Sequence, residues 1–156
     1  MSFIPQTAEC SECGNSRDIF GDCPHCGTSL VPLLVEDVVE LNIKFGYPSV
    51  EDALDRLGKK IRYLQELGVK AIVLIHGYGS SGEGGHIKRA IHDALELNRY
   101  ADRVDEYFYG ENVPYGSFAY HELMKRRPSL KRYLRHFKAS NAGMTVLLLG
   151  SGYRNA

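Results

Sequence analysis

"VLIHGYGSSGEGGHIKRAI", Val73–Ile91, decides the fold. An apolar run ends in His76, a glycine-rich loop follows, and the loop opens into a stretch with helical spacing. Strand, tight loop and helix make the repeating unit of an α/β domain. Several chemistries use that unit. Gly77, Gly79 and Gly82 have the G-x-G-x-x-G spacing of a dinucleotide loop. A strand ending in His-Gly also precedes the oxyanion loop of lipase-like hydrolases. A strand ending in H-G-x-G also occurs in small nucleic-acid-cleaving domains.

The neighbouring sequence separates these. A dinucleotide site needs an acid at the end of the next strand, but Asp105 and Glu106 lie at its start or within it. Too little chain then follows for a second mononucleotide half. A hydrolase needs a G-x-S-x-G elbow, and "GSGY" at Gly150–Tyr153 lacks that pattern.

Working outward, "VVELNIKF" (Val38–Phe45) reads as a strand, and Ser49 as the N-cap of a helix. Ala53, Leu54, Leu57, Ile61, Leu64 and Leu67 form that helix's apolar face, and Gly68 ends it. Val69–Ile75 reads as a buried central strand. Ile87, Ala90, Ile91, Ala94 and Leu95 give a second helix, Arg103–Gly110 a third strand and Met144–Gly150 a last one. Between those two strands, "FAYHELMKRRPSLKRYLRHFK" reads as helix broken at Pro128, with Leu130, Tyr133, Leu134 and Phe137 on one face. The expectation is an α/β (α+β) fold: a two-layer sandwich with a mixed four-stranded sheet, preceded by a small zinc ribbon. The ribbon takes residues 1–30 and the α/β domain 36–156, with a basic helical insertion at about 112–140.

The ribbon rests on "CSECGNSRDIFGDCPHCG". Cys10-x2-Cys13 and Cys23-x2-Cys26, nine residues apart, supply four thiolates suited to tetrahedral Zn²⁺. Gly14 and Gly27 follow the pairs, where a knuckle needs positive φ. Four cysteines leave no position open for substrate, so the ion is structural. Rubredoxin-type iron would use the same ligands. His25 reads as a surface residue rather than a ligand. About 28 residues bury too little to fold alone, so the metal supplies folding energy.

In 156 residues, Lys+Arg and Asp+Glu both total 19, but they are unevenly placed. From Leu123 onward there are 8 basic residues and no acid. Lys125, Arg126, Arg127, Lys131, Arg132, Arg135 and Lys138 fall within 14 residues, beside Tyr133 and Phe137. Those residue types suit phosphate neutralisation and base stacking. The plainer alternative is a solvated helix face paired to the acidic N-terminal part. The longest aliphatic run, Ala71–Ile75, is too short to span a membrane, and no signal segment is evident, so a cytoplasmic protein without a membrane partner is expected.

The order of motifs resembles the Smr (small MutS-related) domain over Val38–Leu149. "IHGYG" (Ile75–Gly79) matches its H-G-x-G motif, and "HIKRAIHDAL" (His86–Leu95) matches the following helix. Lys88 or Arg89 then stands for the family's arginine. "IKFGYPSVEDAL" (Ile43–Leu54) lies on the first motif without gaps, but Lys44 and Gly46 replace its acid and histidine. "NAGMTVLLL" (Asn141–Leu149) resembles the closing turn and strand. The resemblance implies binding to DNA or RNA, with the ribosome as a further partner, and cleavage of phosphodiesters.

His76 is then the candidate acid–base catalyst. Gly77, Gly79, Lys88, Arg89 and the basic insertion are the phosphate contacts. Phosphodiester cleavage needs a second proton-transfer group or a divalent metal, and the sequence identifies neither. The alternative for His76 is a purely structural role, hydrogen-bonding the loop. His86, His92, His121 and His136 are expected to be structural. A non-catalytic nucleic-acid or ribosome adaptor, and a small enzyme binding a nucleotide or phosphorylated metabolite, are the competing classes.

Overall fold

A computed structural model describes residues 7–34, 36–43, 49–77, 83–139 and 141–150. Lys44, Gly46, Gly79 and Gly82 lie outside the described residues. Two short strands, β1 (Thr7–Glu9) and β2 (Ser16–Asp18), pair antiparallel in the N-terminal module. The main domain follows as β3 (Val38–Asn42), α1 (Val50–Glu66), β4 (Ala71–Ile75), α2 (Glu83–Glu96) and β5 (Val104–Tyr109). Then come α3 (Phe118–Arg126), a 3-10 turn at Pro128–Tyr133, α4 (Leu134–Lys138) and β6 (Met144–Leu149).

The four main strands make one mixed sheet in the order β3-β4-β6-β5. The β3–β4 pair is parallel, with Asn42 opposite Ile75. β6 runs antiparallel to both neighbours, so Met144 faces Ile75 and Thr145 faces Tyr109. This brings the ends of β4 and β5 to the start of β6, at one end of the sheet.

Local chemistry explains α1. Ser49 Oγ accepts from the Asp52 amide at 3.0 Å, satisfying an otherwise orphan donor. The expected residues Ala53, Leu54, Leu57, Ile61 and Leu64 are all buried. At the other end Gly68 adopts φ +97 while the Val69 amide returns to the Leu64 carbonyl, stopping the helix where a side chain would be strained.

Alternation along the strands sends side chains to two separate cores. Val39, Leu41, Ile72, Leu74, Leu147 and Leu149 pack with Leu57, Ile61, Leu64 and Ile91 of α1 and α2. On the opposite face Val73, Ile75, Val146 and Leu148 meet Leu123, Leu130, Tyr133 and Phe137 of the insertion. The mixed four-stranded sheet is as expected. Helices α1 and α2 form the layer on one side, and the insertion's apolar face covers the second side. That coverage explains why β4 and β6 are buried throughout and read as unbroken apolar runs.

The N-terminal module docks on α1 and β3. Ile19 joins the first core. The Tyr63 hydroxyl donates to the Ile19 carbonyl at 2.7 Å, and the Phe20 ring lies 5.4 Å from that of Tyr63. Arg17, itself buried, donates to the carbonyls of Leu30 and Gly21, tying the hairpin to the linker.

Candidate functional site

The cysteine module is built from two equivalent turns. Gly14 and Gly27, at φ +75 and +76, donate their amides to the Cys10 and Cys23 carbonyls. This curls the Glu12 and Cys13 amides towards Cys10 Sγ, each at 3.4 Å. The His25 amide reaches Cys23 Sγ at the same distance. The four sulfurs lie within 4.8 Å of one another, with Cys10–Cys26 at 3.6 Å and Cys13–Cys23 at 3.7 Å. Ligands of a tetrahedral ion bonded at about 2.3 Å sit about 3.8 Å apart, so the sulfurs fit one.

Their electrostatics point the same way. The Cys13 amide, helped by that of Glu12, outweighs desolvation and holds the Cys10 thiol down at about 6. At Cys26 the Thr28 amide is outweighed by desolvation and the neighbouring sulfurs, which push that thiol up to about 12. Four thiolates in this volume would repel one another, and a cation between them would offset that repulsion. The residues can hold a metal ion, and His25 is exposed outside the ligand set.

The second site forms at the sheet end. His76 directly follows β4, and its backbone is clamped there. The His76 and Gly77 amides both donate to the Gly143 carbonyl, at 2.9 and 3.1 Å. The His76 ring is fully buried. Nδ1 lies 2.7 Å from the Gly77 carbonyl, which can only accept, so Nδ1 carries the proton. Nε2 is then the acceptor for the Thr145 hydroxyl at 2.9 Å. Burial drives the His76 pKa down to about 4; the Gly77 carbonyl opposes this, and His92 and Lys88 add to it. His76, the candidate acid–base group, thus has both ring nitrogens hydrogen-bonded and is neutral at pH 7. In this geometry it shapes the strand end.

His92 stands next to it, with ring centroids 5.7 Å apart and planes nearly perpendicular. Its other side stacks on Tyr109 at 3.7 Å, and the Tyr109 hydroxyl donates to Glu96 at 2.6 Å. Burial and Lys88 lower the His92 pKa. His92 Nε2 is buried and has no hydrogen-bond partner among the described residues. A cavity of about 410 Å³ opens beside it, lined by Gly85, Lys88, Arg89, His92, Asp93 and Glu96. Lys88 also faces Glu111 at 3.4 Å, while Arg89 is exposed.

The chain matches no family model, no curated protein and no solved structure. Its chemistry therefore has to be read from the geometry.

The insertion's cations are not one patch. Arg126 makes a two-pronged pair with Glu106 of β5, and Arg132 meets Glu36 at 2.6 Å. His136 Nε2 reaches Glu40 at 3.0 Å, and Lys125 pairs with Glu122 at 3.2 Å. Arg127 and Lys131 have no ion-pair partner among the described residues, and Arg135 is half-buried. Three of these pairs tie the insertion to acids from earlier in the chain, as the plainer alternative anticipated.

His92 was expected to be structural, and Thr145, Tyr109 and Glu96 were not singled out by the sequence. Signals for three of these four were present. Thr145 is the lone polar residue of "MTVLLL", and a polar group in a fully buried strand needs a partner. Lys88, His92 and Glu96 are spaced by four and so share one helix face.

Proposed function

We propose that the chain is a small Smr-like nucleic-acid-binding protein that holds a structural zinc ion and acts by binding rather than by hydrolysis through His76. The observation that carries this reading is the row of Lys88, Arg89 and His92 beside the end of β4, lining an open cavity. Lys88 and His92 share a helix face and Arg89 flanks them, so two cations and a ring nitrogen are offered to a phosphate backbone beside the acids Asp93 and Glu96. The motif order at Ile75–Gly79 and His86–Leu95 supports the Smr likeness. The doubly bonded, neutral His76 favours binding over cleavage. Zinc is the ion best matched to four converging thiolates, and clustered metal-ligand cysteines suit a reducing compartment such as the cytoplasm. Among the described residues no helix is long and apolar enough to cross a membrane.

A second reading, cleavage by His92, draws on its unpartnered Nε2. One assay separates them. Wild type, His76→Ala and His92→Ala are incubated with structured RNA and branched DNA, and both retention and cleavage are scored. The proposal expects retention without cutting by wild type. Cutting that is abolished by His76→Ala in a folded variant would overturn it. Cutting lost only in His92→Ala would establish the second reading, and binding of mononucleotides alone would favour a metabolite enzyme.

A further inference from the structure

Beyond the phosphate face, the insertion displays aromatic rings that no core needs. After β5 the chain passes through a 3-10 turn at Gly110–Asn112 and reverses at Pro114–Ser117. The Ser117 amide donates to the Pro114 carbonyl at 3.0 Å, and Gly116 has φ +86, as a type II turn requires at its third position. Tyr115 therefore sits at the turn's tip, 55% exposed, and Phe118 opens α3 at 81% exposed.

These rings stand on a firm base. The Tyr115 amide donates to the Phe137 carbonyl at 3.0 Å. The Tyr115 ring meets that of Tyr120 edge-on at 5.2 Å, and Tyr120 packs on fully buried Phe137 at 5.3 Å. Lys138 Nζ lies 5.4 Å from the Tyr115 ring centroid. The nearest acids in sequence are answered: Glu122 by Lys125 and Glu111 by Lys88.

We infer that Tyr115 and Phe118 stack the unpaired bases of a single-stranded nucleic acid, with Lys138 and the α2 cations holding its phosphates. This rests on the nucleic-acid reading above and narrows its substrate class. Every base offers a π-face, so exposed rings beside cations bind single strands with little sequence preference. A duplex hides those faces. One strand can span both features: Glu111, which Lys88 contacts, is four residues before Tyr115, a reach of at most about 14 Å. Charge selects this occupant over a protein surface: Lys138 stands at the Tyr115 ring, and Arg127 and Lys131 of the insertion have no ion-pair partner among the described residues.

The test uses a single strand carrying 2-aminopurine and a blunt duplex of equal length. Wild type should bind the single strand more tightly and quench its fluorescence. Tyr115→Leu with Phe118→Ala should lose about tenfold in single-strand affinity and lose the quenching, with duplex binding and salt slope unchanged. Tyr115→Phe with Phe118→Tyr should retain both. Unchanged single-strand affinity in the first double variant, while Lys88→Glu with Arg89→Glu weakens binding, would overturn the stacking role and leave the broader reading standing. Failure of wild type to bind either nucleic acid would overturn both. Self-association of wild type abolished by Phe118→Ala would assign these rings to a protein contact and overturn the inference.

Discussion

Four sulfurs in the ribbon face one another within 4.8 Å, and the other three push against the ionisation of Cys26. At the sheet end, His76 has one nitrogen answered by a carbonyl and the other by a hydroxyl. Both are clusters of groups with familiar chemistry. The ribbon's sulfurs converge on a common centre and can hold an external cation there. His76 is satisfied from within and requires nothing. The difference shows that convergence of reactive side chains marks a site only when some valence is left over. By that criterion the leftover valence at the sheet end belongs to His92, one ring further out.

The largest effect that could break this comparison is on the ribbon. Chelation, or Cys10→Ser, should unfold it outright, because four-thiolate modules this small draw their folding energy from the metal. The main domain should also weaken, by about 2 kcal/mol, as Ile19 leaves the core. Hydrogen exchange and thermal melts with and without chelator would read both effects. Unchanged protection of the β1–β2 amides would contradict the metal's structural role.

The next effect lies at the sheet end. A Cβ at Gly110 would stand 2.0 Å from the Asn141 carbonyl oxygen, which belongs to the turn clamped on His76. Gly110→Ala should cost about 3 kcal/mol or more, since backbone rather than a flexible side chain must yield. A chemical denaturation midpoint equal to wild type would show that the turn is looser than described.

The mildest test is acid. The pKa of His76 is about 4 in the fold, against about 6.5 when unfolded. Above pH 6.5 both states are neutral and stability is complete. Between 6.5 and 4 the unfolded chain takes a proton that the folded chain refuses, so stability falls as pH falls, by about 3 kcal/mol across the window. His92 shifts in the same direction. His76→Gln should flatten the profile; an equally steep profile would remove His76 as its source.

Much of this was legible in the sequence because it is local. The cysteine spacing, the Ser49 cap, the α1 stripe and the four strands depend on near neighbours along the chain. The insertion's placement was harder to read: Leu130, Tyr133 and Phe137 advertise an apolar face, but the sequence does not say which surface it covers. The state of His76 was also hidden, because it depends on Thr145, 69 residues away. The fate of Arg126 and Arg132 depends likewise on Glu106 and Glu36, which alternation and charge counts cannot bring together.

The central claim is that the α2 face binds nucleic-acid phosphates. It is tested most directly by the salt dependence of affinity for a single-stranded oligonucleotide, in wild type and in Lys88→Glu with Arg89→Glu. Wild-type affinity should fall steeply with salt, and the double variant should bind more weakly, with a log–log slope shallower by about two. Salt-independent binding, or identical slopes in the two proteins, would contradict it.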